Sequence, residues 1–351
     1  MAIKTLAVKY RPTTFNDVVE QDNIKIILKQ QLETGTIKNA YLFVGGAGTG
    51  KTTTARIFAN EINKGQGNPI EMDAASNSGV DDVRNIIQEA KIKSLNSEYK
   101  VFIIDECHAI SNTGWQAFLK LIEEPPAKSI FIFCTTDPQK IPKTILSRVQ
   151  RYDFQRISQK GIVDRLKYVL EREFEEIGHT HGIQWEEEAI EYIAKLADGG
   201  MRDAITLMDK CLAYSTELVI ENVVKALGTT NYDTMFKLTD CLLEAKHLDA
   251  IQIIEQIHAE GKDLKQFIHQ YTNFLLDINK YGVGCPFELL QLPKLKEYVK
   301  WLEDCGEYEF NYCLHLLKVF VSLNSSIKYS QYVKADIEAC IMLLEEANKD
   351  A

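Results

Sequence analysis

No run of apolar residues in this chain is long enough to cross a bilayer. The opening residues, MAIKTLAVKY, lack the apolar core of a secretory leader. A cytoplasmic protein without a membrane partner is therefore expected. No two of the eight cysteines (Cys107, Cys134, Cys211, Cys241, Cys285, Cys305, Cys313 and Cys340) form a Cys-x-x-Cys pair. They are expected as reduced, mostly buried thiols. The seven histidines form no ligand-like cluster. His179 and His181 are near neighbours in GHTHG, but nothing acidic or sulfurous stands beside them, so no structural metal is expected. Basic residues are not in excess: 40 Lys and Arg face 50 Asp and Glu, a net charge of −10. That argues against a protein that coats nucleic acid non-specifically. It leaves room for a local basic surface, or for a ring in which several subunits each supply a few contacts. Internal repeats and a low-complexity tail are also lacking.

The 351 residues are enough for two or three domains. With 45% hydrophobic and 26% charged residues, the chain has an ordinary globular composition. Its first part alternates two patterns. AYLFV (40–44), PIEMDA (69–74), KVFIIDE (100–106), SIFIFCTT (129–136) and RYDFQ (151–155) read as strands. GKTTTARIFANEIN, GVDDVRNIIQEAKIKS and GWQAFLKLIEE read as helices between them. In the last, Trp115, Phe118, Leu119 and Ile122 recur at helical spacing, and Pro125 and Pro126 stop the helix. Alternating strands and helices predict a mostly parallel sheet covered on both faces. Strand signals fade after residue 157. Three short helices are expected next, broken at Gly178–Gly182 and Gly199–Gly200. From about residue 221 the pattern is helical throughout. The last helix places Val333, Ile337, Cys340, Ile341 and Leu344 on one face.

The chemistry concentrates in GGAGTGKTTTA, residues 45 to 55. Gly45, Gly50, Lys51 and Thr52 match G-x-x-x-x-G-K-[ST], between a strand and a helix. Such a loop, here Gly45, Gly46, Ala47, Gly48, Thr49 and Gly50, wraps its amide N–H groups around phosphate. The helix that follows presents its positive dipole end to the same anion. Lys51 is expected on the β and γ phosphates, Thr52 on Mg²⁺, and Thr53 in the helix's first turn. Asp105 and Glu106 end a hydrophobic strand. Asp105 is placed to hold Mg²⁺, and Glu106 to polarise an attacking water. The pair points to hydrolysis rather than transfer. Thr135 and Thr136 end the neighbouring strand, as phosphate or water ligands or as ordinary caps. Arg148, in LSRVQRY, reads on residue type alone as a surface charge or ion-pair partner, with an arginine finger as the alternative. Arg202 stands near a helix start, where a cation is unhelpful to the helix dipole. A phosphate across a domain boundary is one reason to keep it there, and a plain surface helix start is the other. His108 reads as a helix-start residue without chemistry, with a polar neighbour of the site as the alternative.

The ordered set VKYRPTTFNDVVEQD, GGAGTGKTTTAR, EMDAASNSGVDDVR, IDECHAIS, FLKLIEEPP, TTDPQKIPKTILSR and GGMRDAITLMD resembles the gamma/tau family of bacterial clamp-loader ATPases, within AAA+. The resemblance is dense over residues 4 to 212 and beyond them rests on the helical pattern. It implies an α/β AAA+ P-loop ATPase domain with a parallel sheet (1–157), a small three-helix lid (158–220) and an all-α collar for oligomerisation (221–351). It implies ATP and Mg²⁺ as cofactors. Its implied partners are other loader subunits in a five-membered ring, a sliding clamp, and primer–template DNA held through its phosphates. Residue by residue, Lys51 and Thr52 look like Walker A, and Asp105 with Glu106 like Walker B. Thr136, rather than Thr135, looks like sensor 1. Arg148 looks like the finger acting on a neighbour's nucleotide, and Arg202 like sensor 2. Tyr10, Arg11 and Pro12 resemble the segment that packs on adenine. Ser76, Asn77, Ser78, Arg84, Lys91 and Lys93, at and along one helix, are the expected phosphate contacts to DNA.

The chain departs from the family in three places. Where bacterial members usually carry a four-cysteine zinc module, this chain has INKGQGNPIE, so no zinc site is expected. The arginine motif reads SRV instead of SRC, which keeps the arginine. The chain ends where the collar should end, as in the short, gamma-like form. Two other readings compete. A Holliday-junction-type AAA+ helicase or translocase, suggested by DECH, needs a winged-helix or second motor domain that the helical pattern does not supply. A binding-only ring subunit would lack a working phosphate loop, whereas Lys51, Thr52, Asp105 and Glu106 are all present.

Overall fold

The structure is a computed structural model that describes residues 5–77, 79–94, 96–177, 184–227 and 231–349. His179, His181 and Ser78 lie outside the described residues, as does the expected break at 178–182. Two compact units emerge: Met1–Gly182 with Ile193–Asp209, and Ile183–Tyr192 with Lys210–Ala351.

The first unit begins with a short helix α1 (Leu6–Lys9) and a longer one, α2 (Asp22–Thr34). Five strands follow: β1 (Ala40–Val44), β2 (Ile70–Asp73), β3 (Lys100–Asp105), β4 (Ser129–Thr135) and β5 (Gln150–Asp153). Between them lie α3 (Lys51–Ile62), α4 (Val80–Lys91), α5 (Asn112–Glu123) and α6 (Lys143–Leu146), and α7 (Gln159–Ile177) follows β5. The strands pair in parallel in the order β2-β3-β4-β1-β5. The apolar runs read from the sequence are runs because both sheet faces are buried. Leu42, Phe102, Ile104, Phe131 and Phe133 point to one face, under Val83, Ile86, Trp115 and Phe118 of α4 and α5. Tyr41, Phe43, Val101, Ile103 and Ile132 point to the other, under Leu28 of α2 and Ala55, Phe58 and Ile62 of α3. Phe102, Phe131 and Phe133 are each fully buried, worth about 1.5–3 kcal/mol apiece.

Some expectations need correction. α2 was not among the expected elements, although Ile24, Leu28 and Gln31 form its buried stripe. The strand after α5 ends at Thr135, so Thr136 stands beyond it, and Glu106 likewise stands beyond β3. α4 ends at Lys91, which leaves Lys93 outside the helix. The first helix after residue 157 is 19 residues long rather than short.

α8 (Glu187–Leu196) and α9 (Met201–Tyr214) each run from one unit into the other. The second unit also holds two short strands that the sequence reading missed, β6 (Gln184–Trp185) and β7 (Glu217–Leu218), paired in parallel. Two-residue strands carry too few positions for an alternating pattern to show. The rest of this unit is helical among the described residues: α10 (Ile220–Leu227), α11 (Asn231–Leu243), α12 (His247–Ala259), α13 (Leu264–Gly282), α14 (Lys296–Asp304), α15 (Glu307–Ile327) and α16 (Val333–Lys349). One core joins Leu238, Ile254, Tyr271, Phe274, Phe320, Ile337 and Ile341. On α16, Ile337, Ile341 and Leu344 are buried, with Val333 and Cys340 packed against the core, as the periodicity predicts. No helix among the described residues is long and apolar enough to cross a membrane.

Candidate nucleotide site

β1 is flanked by β4 on one side and β5 on the other, while the chain leaving it crosses to β2 at the sheet's far edge. Ligands bind at the carboxyl ends of parallel strands at such a switch of direction. Residues 45–50 form the turn there. Gly45 N donates to Thr135 O at 3.2 Å, which ties the turn to the tip of β4. A side chain at Gly45 would meet Phe154 O at 2.6 Å, so the backbone must be bare there. Gly48 and Gly50 have φ of +69° and +98°, conformations that favour glycine. Gly48 O accepts from Met201 N at 3.0 Å, joining the loop to the start of α9. Thr49 is buried and its hydroxyl donates to Gly46 O at 2.9 Å.

Lys51, at the start of α3, is only 6% exposed. Its Nζ donates to Gly45 O at 2.8 Å and to Gly46 O at 2.7 Å. Burial lowers its pKa, opposed by the nearby Cys134, Glu106 and Asp105. An anion in the loop would relieve that desolvation by supplying opposite charge. Thr52 Oγ1 donates to Asp105 Oδ2 at 2.7 Å. A hydroxyl and a carboxylate side by side are the hard oxygen donors that Mg²⁺ takes, with water and phosphate oxygens completing its shell. The residues present therefore fit Mg²⁺. Glu106 follows with φ 45° and ψ 43°, a left-handed conformation that is uncommon for a side-chain-bearing residue. Its N–H donates to Asp105 Oδ1 at 3.0 Å.

These residues line one cleft of about 310 Å³. Ala47, Gly48, Thr49, Gly50, Lys51, Thr52, Thr53, Asp105 and Glu106 form its polar end. Tyr10, Arg11 and Pro12 line it with Val18, Ile157 and Ile205, an apolar end suited to a base. Arg165 Nη2 donates to Tyr10 O at 2.9 Å and pins that segment to α7. Arg202 also lines the cleft.

Gly45 and Gly46 form the loop's base behind the cleft lining, and Thr136 and Arg148 also lie apart from it. Thr136 is exposed, and its hydroxyl donates to Glu106 Oε2 at 3.1 Å. Thr135 is fully buried, so the hydroxyl on the acid is that of Thr136. Arg148 donates to Thr144 O at 2.8 Å and pairs with Glu123 at 2.8 Å, outside its own chain's cleft. Of the expected DNA-contact residues that are described, Ser76, Asn77 and Arg84 lie near the start of α4, and Lys91 and Lys93 lie at and beyond its other end. Ser76 Oγ donates to Asp73 Oδ2 at 3.1 Å, and Asn77 Nδ2 to Asp73 O at 3.1 Å. Arg84 pairs with Asp81 at 2.9 Å, and Lys91 and Lys93 are exposed. His108, read from the sequence as a helix start rather than as a neighbour of the site, has a ring nitrogen 3.2 Å from both Glu106 Oε2 and Thr135 Oγ1. The only signal for it was its place three residues after Asp105.

Residues 70–158 match the family described as DNA polymerase III, delta subunit. Residues 161–217 match the family described as DNA polymerase III clamp loader subunit, ATPase lid domain. DNA polymerase III subunit tau of Bacillus subtilis (strain 168) is 36% identical over 327 residues, 87% of this chain and 57% of that protein. The tau subunit of Escherichia coli (strain K12) is 34% identical over 297 residues, 78% of this chain and 45% of that protein. The chain thus spans about half the length of these relatives. Among solved structures, the RuvB Holliday junction branch migration motor of Thermotoga maritima superposes with a TM-score of 0.50 at 19% identity, covering 72% of this chain and 86% of that one. That likeness is one of fold.

Proposed function

We infer that this chain, which belongs to the gamma/tau family of DNA polymerase III subunits, is the ATP-driven motor of a clamp loader. The observation that carries the reading is the Thr52–Asp105 contact beneath the glycine loop, with Lys51 on the loop carbonyls and Glu106 beside them. ATP would seat its phosphates in the loop of residues 45–50, with its base against Tyr10, Arg11 and Pro12. Lys51 would exchange two backbone carbonyls for the β and γ phosphates. Thr52 and Asp105 would hold Mg²⁺, whose charge offsets that on the phosphate oxygens. Glu106 would orient a water and take its proton, with Thr136 holding the acid's other oxygen. Arg202 would touch the γ phosphate from its own chain. Arg148, outside its own cleft, suits a finger acting on a neighbouring subunit's nucleotide.

The domain division would be 1–157 for ATP binding, 158–220 for the lid and 221–351 for a collar through which subunits assemble into a five-membered ring. The ring would open a sliding clamp and close it on primer–template DNA. Ser76, Asn77, Ser78, Arg84, Lys91 and Lys93 would track DNA phosphates rather than bases. Steady-state ATP hydrolysis tests the reading, first with the chain alone and then with its partner subunits, clamp and primed DNA. Strong stimulation that needs both clamp and primer–template is the expected result. Stimulation by DNA alone, with strand separation and indifference to the clamp, would move the reading to a helicase.

A further inference from the structure

His108 has close partners at the reacting end of the cleft and no role in the reading above. It lies in the turn Cys107–Ala109, two residues after Glu106, with its side chain 22% exposed. Its Nδ1 is 3.2 Å from Glu106 Oε2 and 3.2 Å from Thr135 Oγ1. A bare nitrogen lone pair would repel a carboxylate at that distance, which favours the tautomer with the proton on Nδ1. Thr135 Oγ1, fully buried at the tip of β4, also accepts from Asp137 N at 3.0 Å. It is a fixed post against which the imidazole rests. Thr136 Oγ1 donates to the same Glu106 Oε2 at 3.1 Å. The Thr136 hydroxyl thus donates to Oε2 of Glu106, and the His108 ring nitrogen, hydrogen-bonded to Thr135, stands at ion-pair distance from the same oxygen. Among the described residues none donates a hydrogen bond to the other oxygen, Oε1. Glu106 itself is in a left-handed conformation, which persists only where surroundings hold it.

We propose that His108 is a positioning residue: with Thr136 it anchors Oε2 of Glu106 and leaves Oε1 as the oxygen that takes the proton of the attacking water. The proposal rests on the reading of the cleft as an ATP-hydrolysing site. A residue that only filled the turn would act through stability or nucleotide affinity. A positioning residue acts on kcat, and its effect depends on one donor atom.

The test compares His108→Ala, His108→Asn and His108→Gln in the assembled loader with clamp and primed DNA. Asparagine carries an amide nitrogen on Cγ, as Nδ1 is carried, whereas glutamine's lies one bond further out. His108→Ala should lower kcat about tenfold while ATP affinity stays within about twofold. His108→Asn should recover most of the loss, and His108→Gln little of it. The proposal is overturned if His108→Ala keeps the wild-type kcat, if affinity and kcat fall together, or if asparagine is as slow as alanine. The ring tautomer, read by ¹⁵N–¹H NMR of the nucleotide-free chain, gives a readout that needs no turnover. An Nδ1–H ring supports the anchor and an Nε2–H ring overturns it. Wild type that turns over no ATP with clamp and DNA would instead sink the ATPase reading, and the tautomer would still judge the contact.

Discussion

Gly48→Ala should strain the phosphate loop twice. The residue has φ +69°, and holding an L-residue in the left-handed region costs about 1–2 kcal/mol. The added Cβ would also stand 2.9 Å from Gly200 Cα and 3.1 Å from Gly200 C. Both are backbone atoms and cannot swing aside, so loop and helix start must part. Overpacking of this kind costs about 1–3 kcal/mol. The movement also strains the bond from Met201 N to Gly48 O, 3.0 Å long. Gly35 is the control. Its φ is +67°, but nothing lies within 4 Å of the Cβ it would gain. Gly35→Ala should therefore cost only the backbone part, and the excess of Gly48→Ala over it, about 1–3 kcal/mol, belongs to the close approach. Both are measured by urea unfolding followed at Trp115, buried in the α/β unit, with the two other tryptophans, Trp185 and Trp301, changed to phenylalanine. A fluorescent ATP analogue gives a second reading: affinity should fall more than about tenfold for Gly48→Ala, equivalent to about 1.4 kcal/mol, and hold for Gly35→Ala. Equal destabilisation with equal affinity would refute the argument, because the two sites share a backbone angle and differ in what surrounds them.

Four further outcomes are expected. Thr52→Val removes the hydroxyl 2.7 Å from Asp105 and should raise the Mg²⁺ needed for half-maximal turnover about tenfold, read from a Mg²⁺ titration. Arg148→Ala should cut stimulated turnover about 10³-fold while its own chain binds ATP as before; a matching loss of affinity contradicts action on the neighbour. Arg84→Ala breaks only an exposed pair with Asp81, so stability should change by under about 0.5 kcal/mol while DNA-stimulated turnover falls. Unchanged stimulation removes Arg84 from the DNA surface. Asp277 is buried on α13, where its carboxylate accepts from Gln291 N at 2.6 Å and Leu292 N at 3.0 Å. Burial raises its pKa above the ordinary 3.8, with the two amides and Lys280 opposing. The folded state then holds the proton more tightly than the unfolded one. Stability should fall as pH rises from about 3.8 through the folded pKa, and Asp277→Asn should lose that part of the slope, measured at Trp301.

Sequence patterning located the sheet because each central strand is buried on both faces, and its composition is legible without its neighbours. AYLFV coincides with β1 to the residue. The glycine loop was legible for a related reason: close approach and left-handed backbone leave a signature in residue type. α2 shows only a narrow buried stripe, Ile24, Leu28 and Gln31, and one of the three is polar, so its helical periodicity is faint in the sequence. The role of Arg148 was open on residue type, because exposed arginines pair locally whatever else they do, and this one pairs with Glu123.

The acid's surroundings are a different case. Glu106, His108, Thr135 and Thr136 meet across a gap of about thirty residues, and no local pattern encodes the meeting. It follows from register. β3 and β4 pair in parallel with Ile103 beside Ile132 and Ile104 beside Phe133. Extending that ladder puts Asp105 level with Cys134, and the two chains turn away from the sheet together. One turn carries the acid and the histidine, and the other carries two hydroxyls. A one-residue slip would exchange buried Thr135 for exposed Thr136 and turn every phenylalanine of β4 to the other face. The core that fixes the register, Phe102 and Ile104 against Phe131 and Phe133, therefore also decides which hydroxyl reaches Glu106. A core substitution that loosened β3 against β4 should reduce turnover before it unfolds the chain, since the donors on Glu106 depend on alignment and the fold only on burial.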